Sequence, residues 1–97
     1  MSKIYVGQTA LRMNFSCSAD ITGYTTTVIN VWKSNGSTAT WTATVSDAST
    51  GAMYFDIPTT TTLNVSGKWR LQPEVIFSDD TVGYGETAIQ MIYSLGE

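Results

Sequence analysis

Residues 34–46 read Ser34-Asn35-Gly36-Ser37-Thr38-Ala39-Thr40-Trp41-Thr42-Ala43-Thr44-Val45-Ser46. From Thr38 onward, threonine or serine alternates with an apolar residue without a fault. A period of two is the mark of a strand, because successive side chains leave opposite sides of the backbone. Wound into a helix, the same run would crowd β-branched side chains against the preceding turn. Asn35-Gly36 stands just before it. That dipeptide tolerates the positive φ required at both central positions of a two-residue hairpin turn. The stretch therefore predicts a hairpin and a strand over 38–46, with Ala39, Trp41, Ala43 and Val45 inward and the threonines outward.

The same reading extends in both directions. Lys3–Val6 is a short first strand. Over Ala10–Ser18, Leu11, Met13, Phe15 and Cys17 share one face, and Arg12, Asn14 and Ser16 the other. Asp20–Gly23 connects, with Ile21 expected to plug one end of the core. Thr25–Lys33 carries apolar residues on both faces, Val28 and Trp32 on one and Ile29 and Val31 on the other. That suits a central strand or one whose outer face meets a partner. After a turn over Asp47–Gly51, Ala52–Ile57 places Met53, Phe55 and Ile57 inward until Pro58 ends the strand. Thr59–Thr62 reads as an extended surface connection, and Leu63 and Val65 as further plugs. Lys68–Ser78 sets Trp69, Leu71, Pro73, Val75 and Phe77 against Lys68, Arg70, Gln72 and Glu74. Pro73 has no N–H for a ladder, so it predicts a bulge or an edge. Val82–Tyr93 closes the sheet, with Gly83-Tyr84-Gly85 as a bulge at its entry. Thr87, Ile89, Met91 and Tyr93 share one face there, and Ala88, Gln90 and Ile92 the other.

About seven strands at this spacing, with no helical period, predict an all-β, immunoglobulin-like antiparallel β-sandwich. The chain has 97 residues, so the expectation is a single domain over 1–97. A lone cysteine, Cys17, rules out an internal disulfide, so packing must hold the layers. Trp32, Trp41 and Trp69 are the expected centre of that core.

Composition narrows the function. Charged residues are 13% of the chain against a usual ~25%. Such a surface has little repulsion to keep neighbours apart. Net charge is −3 and the five basic residues form no stripe, which argues against nucleic acid. No apolar run reaches a membrane-spanning length, so no membrane partner is expected. Met1–Tyr5 lacks the apolar stretch of an export signal, so the protein is expected to be made and kept in a cytoplasm, or assembled there into something larger.

Chemistry is equally constrained. The chain has no histidine, which removes a hydrolase triad and the usual zinc donors. Cys17 reads as a small buried hydrophobe. Asp79-Asp80 are adjacent turn residues whose side chains diverge, so they make a poor acid–base pair, and a calcium ion would need more oxygens. The expectation is no enzyme, no cofactor and no metal. Surface aromatics are left as candidates. Tyr24, Trp32, Tyr54 and Tyr84 are the predicted partner-contact residues, since such rings carry an apolar body and, for tyrosine, a wet edge.

Three stretches occur together in a familiar layout. They are Asp20-Ile21-Thr22-Gly23 leading to Val31-Trp32-Lys33-Ser34-Asn35-Gly36, then Ser66-Gly67-Lys68-Trp69-Arg70-Leu71-Gln72, then Gly85-Glu86-Thr87-Ala88-Ile89. The layout, covering Lys3 to Tyr93, resembles small immunoglobulin-like virion proteins of tailed bacteriophages, including the N-terminal module of upper-baseplate proteins. The resemblance implies an accessory module of the tail, baseplate or capsid surface, assembled in the host cytoplasm. Its implied partners are other virion proteins and copies of itself. It implies no catalytic residue. The alternative expectation is a carbohydrate- or host-receptor-binding module that uses the same aromatics on a surface glycan.

Overall fold

The computed structural model describes residues 3–97. Met1 and Ser2, the start of the stretch read for an export signal, lie outside the described residues. Among the described residues there are nine strands: β1 (Ile4–Tyr5), β2 (Arg12–Ser16), β3 (Tyr24–Trp32), β4 (Thr38–Thr42), β5 (Thr44–Asp47), β6 (Ala52–Asp56), β7 (Gly67–Phe77), β8 (Val82–Tyr84) and β9 (Ala88–Tyr93). They form a six-stranded sheet in the order β1-β9-β7-β3-β4, with β8 also on β7, and a three-stranded sheet β2-β6-β5. The chain is an all-β, immunoglobulin-like sandwich. Neighbours are antiparallel except β1, which runs parallel to β9.

Two stretches expected as single strands are each divided, and this turns the predicted seven into nine. The first is 38–46. β4 pairs with β3 in the large sheet, and β5 pairs with β6 in the small one, so the chain changes sheets at Ala43. Thr27, the buried polar residue of the core, holds that corner. Its hydroxyl donates to the Ala43 carbonyl at 2.9 Å, and the Ala43 N–H donates to the Thr27 carbonyl at 3.0 Å. The second is 82–93. β8 pairs with Glu74–Ile76 and β9 with Gly67–Leu71, on the same side of β7. The break between them faces Pro73. Gly85 donates its N–H to the Pro73 carbonyl at 3.0 Å, so the proline nitrogen, which can donate nothing, faces the same way. The bulge expected from Pro73 is thus carried by the partner strand.

Inner faces meet as the alternation requires. The large sheet contributes Ile29, Val31, Trp41, Trp69, Leu71, Val75 and Ile92, and the small sheet Met13 and Met53, with Phe15, Phe55 and Val45 packed alongside. Trp41 spans the layers. It stacks on Phe55 at 4.7 Å and lies 6.4 Å from Trp69. Trp69 is wholly buried, and its indole N–H donates to the Val65 carbonyl at 3.1 Å. Ile21 and Leu63 are buried in the same core cluster. Trp32 is not part of this centre. It shares its side of β3 with Val28 and Asn30, away from buried Ile29 and Val31, and is half-buried on the outer face.

Two turns also differ from expectation. Gly36 has φ +87°, while Asn35 is not among the positive-φ residues. Lys33 and Ser37 close a three-residue loop by a 2.8 Å bond, and the Asn35 side chain accepts the Ser37 N–H. A type I turn followed by a left-handed glycine satisfies this loop with one positive φ instead of two. Thr59–Thr62 folds into a turn rather than an extended link. The Thr62 N–H donates to the Thr59 carbonyl, and the Thr59 hydroxyl bonds those of Thr61 and Thr62.

Candidate functional site

The outer face of the six-stranded sheet can be built position by position from the register. Along β7 the outward residues are Lys68, Arg70, Gln72, Glu74 and Ile76. On one side stand their β3 partners, Trp32 beside Arg70, Asn30 beside Gln72 and Val28 beside Glu74. On the other side stand Met91 beside Lys68, Ile89 beside Arg70, Tyr84 beside Glu74 and Val82 beside Ile76. Those last four are open to solvent: Met91 is 41% exposed, Ile89 62%, Tyr84 60% and Val82 47%.

This apolar column exists because of the break opposite Pro73. In an uninterrupted strand, Val82 and Tyr84 would share a side with Ala88, Gln90 and Ile92, opposite Ile89 and Met91. The pairing shifts by one residue between β8 and β9, and a one-residue shift turns a strand over. All four side chains therefore emerge together. Gln72 secures the break by donating its side-chain amide to the Gly85 carbonyl at 3.0 Å.

Charge on this face is ordered along β7. Lys68 and Arg70 are at one end and Glu74 is at the other, with neutral Gln72 between. The Asn30 amide donates to the Glu74 carboxylate at 2.9 Å and fixes it in place. The Arg70 guanidinium lies 5.9 Å from the Trp32 ring.

The predicted contact residues do not gather on one surface. Trp32 and Tyr84 share this face. Tyr24 is at the far end of β3 from Trp32, past a register irregularity, paired with Phe77. Tyr54 belongs to the other sheet, outward on β6 between Asn14 and Thr44. There the Arg12 guanidinium covers its ring at 3.8 Å and forms a bidentate pair with Asp56, at 2.7 and 3.1 Å. Val82, Ile89 and Met91 were not singled out from the sequence. Pro73 was the available signal, because it marks where the closing strand must break.

A second exposed feature is the seam between β2 and β9. A cleft of about 450 Å³ opens there, lined by Leu11, Met13, Phe15, Leu71 and Ala88. Leu11 and Cys17 direct their backbone groups to the β6 side, so the intervening Arg12, Asn14 and Ser16 present theirs to this edge.

The carboxylates at the turns are engaged locally. Asp20, Asp47 and Asp79 each accept both the backbone N–H and the side-chain hydroxyl of a Thr or Ser two residues on. Those hydrogen bonds favour the charged form and hold all three below the ordinary aspartate range. Burial pushes the half-buried Cys17 thiol up, away from the reactive thiolate. Among the described residues, no three Cys, Asp or Glu side chains converge to hold a metal ion.

No family model matches the chain, and no curated protein matches it. A solved structure does: that of CopC from Methylosinus trichosporium OB3b, with a TM-score of 0.60 over 100% of this chain and 89% of that one, at 13% identity. A likeness at that identity establishes the shared β-sandwich fold and nothing about shared chemistry.

Proposed function

We propose that this chain is an accessory immunoglobulin-like module of a tailed-bacteriophage virion, on the tail, baseplate or capsid surface, and that it acts by docking on proteins rather than by catalysis. The observation that carries the docking part is the column Val82, Tyr84, Ile89 and Met91, exposed on a sheet face whose far strand β4 presents only threonines. Exposed apolar side chains gathered on one face of a small domain mark an interaction site. The virion setting is supported by the resemblance of the three quoted stretches. The test is mass spectrometry of particles purified from a host infected with the phage that encodes the chain. The reading expects this chain among the stoichiometric components, and its absence overturns the reading.

One observation favours a second reading, recognition of a host-surface glycan. Tyr84 is the most exposed aromatic ring among the described residues and stands beside the Glu74 carboxylate. An aromatic face next to a fixed acceptor suits a sugar ring. A glycan array separates the two readings: specific binding that is lost in Tyr84→Ala supports the glycan, and a blank array supports protein docking.

A further inference from the structure

We infer that the occupant of this face is a second copy of the same chain, related by a two-fold axis lying between the two sheets and running across the strands over Gln72. The inference rests on the docking reading above and specifies its partner. Charge order and apolar pattern carry it together.

A face-to-face pair of identical sheets has its two-fold axis in the plane between them. An axis along the strands would set Arg70 near Arg70 of the other copy, and Glu74 near Glu74. An axis across the strands at Gln72 exchanges the two ends of β7. Arg70 then faces Glu74 of the second copy, and Glu74 faces its Arg70. The flanking columns exchange in the same way. Ile89 faces Tyr84 of the second copy, Met91 faces its Val82, and Trp32 faces its Val28. All these positions follow from the register of β7 with β3, β8 and β9. In the flanking columns every outward apolar residue thus meets an apolar residue, and Arg70 and Glu74 meet each other's opposite charge, while at the two ends of β7 Lys68 faces Ile76. An isologous interface needs self-complementarity of this kind. Packed sheets keep their strand directions within roughly 30° of one another, which preserves the pairing near the axis.

Both charges are available. Among the described residues the salt bridge is Arg12–Asp56, so Arg70 and Glu74 are not committed to an ion pair within the chain. Asn30 orients Glu74 through one oxygen and leaves the other open. Facing charges select the partner and fix the register, while the apolar columns supply the buried area.

The experiment is sedimentation velocity across a concentration series on four proteins: wild type, Arg70→Glu, Glu74→Arg, and the double exchange Arg70→Glu/Glu74→Arg. Each single change sets like charges face to face, and the double exchange restores opposite ones. Expected is a wild-type dimer, a loss of roughly tenfold or more in self-association for each single variant, and recovery of most of that loss in the double. Circular dichroism and a melting curve on each protein confirm folding. If Glu74→Arg fails to fold through the loss of its bond to Asn30, Arg70→Glu with Ile89→Thr as a second single variant reads the same face, and both should weaken the dimer. A wild-type monomer up to about 1 mM overturns the inference. So does a dimer indifferent to Arg70→Glu, or a double exchange no better than the single changes. A monomer still found in purified particles overturns the second-copy inference and leaves the virion reading standing. A charge-dependent dimer absent from particles does the reverse.

Discussion

The two outer faces of the sandwich obey the same alternation and end in opposite states. On the three-stranded sheet, Arg12 closes over Tyr54 and grips Asp56, with Asn14, Ser16 and Thr44 around them. Its one aromatic ring is covered by a cation from its own chain. On the six-stranded sheet, Val82, Tyr84, Ile89 and Met91 stand open, and the nearest cations, Lys68 and Arg70, are beside them in the sheet. Alternation alone determines which residues leave the core. Whether an outward residue is then capped depends on its cross-strand neighbour, which is a matter of register. A period-two pattern therefore finds the core and is silent on the surface that matters for docking.

The contrast between the faces exists only while the core holds the sheets apart, so the largest break is in the core. Trp69→Ala removes a wholly buried ring that packs against Trp41, and should cost about 3–5 kcal/mol. Denaturant unfolding measures this, and both faces should be lost in one transition. Next is the hinge that creates the apolar column. A Cβ at Gly85 would lie 2.6 Å from Pro73 Cγ, 3.1 Å from the Ser16 carbonyl oxygen and 3.2 Å from Cys17 Cα. Gly85→Ala should therefore destabilise by about 1–3 kcal/mol, and it presses on β2 and β7 together. A fall in the denaturant midpoint without a change in slope is the expected record. If stability is unchanged, the close approach at the break is not what ties β8–β9 to the other sheet.

Much of the architecture was legible, and the two divided strands show where legibility stopped. At Ala43 the chain changes partner from β3 to β6, yet Trp41 and Val45 both still point into the core. The corner keeps the core on the same side of the ribbon. Alternation therefore continues unbroken, and nothing in 38–46 announces the crossing. At Gly85 the reverse holds. The alternation does change phase, and Pro73 signals only a bulge or an edge in its own strand, so fixing which face Ile89 occupies requires knowing that Pro73 and Gly85 meet. Trp32 is expected both at the core centre and among the contact residues, because Thr25–Lys33 carries apolar side chains on both faces; the buried Ile29 and Val31 settle the phase and put Trp32 outside. Tyr54 was grouped with Tyr84 because both are outward tyrosines. That they leave opposite faces depends on which sheet each strand joins, a long-range fact no local window holds.

A smaller effect comes from acid, and it acts on turns of both sheets. Asp20, Asp47 and Asp79 are held below their ordinary value by hydrogen bonds from Thr22, Ser49 and Thr81. Their folded-state pKa values are depressed, so the unfolded chain binds more protons as pH falls. The stabilisation is then fully present above the ordinary aspartate value of about 3.9 and is lost as pH drops through the lower folded values. The melting temperature should be level with respect to these groups above about pH 5 and should decline below about pH 4. Replacing all three by asparagine keeps an oxygen acceptor and removes their titration, so the decline should become shallower, with the part due to Asp56, which Arg12 also holds below its ordinary value, left in place. A decline of equal steepness in the triple variant would assign the acid sensitivity elsewhere.

The smallest expected change makes the quiet face resemble the open one. Arg12 and Asp56 are both more than half exposed, and an ion pair of that kind adds little to stability. Arg12→Ala should therefore leave the melting temperature unchanged within error. What it should alter is the cover on Tyr54, whose ring then meets water where the guanidinium lay at 3.8 Å. Fluorescence of a hydrophobic dye such as ANS is the readout. At a concentration low enough to keep the chain monomeric, wild type should give a signal from the six-stranded face that Ile89→Thr reduces, and Arg12→Ala should add a modest increment that Tyr54→Thr in the same background removes. If Arg12→Ala adds nothing, the guanidinium was not what kept that face quiet, and the surrounding Asn14, Ser16 and Thr44 suffice to hydrate an uncovered ring.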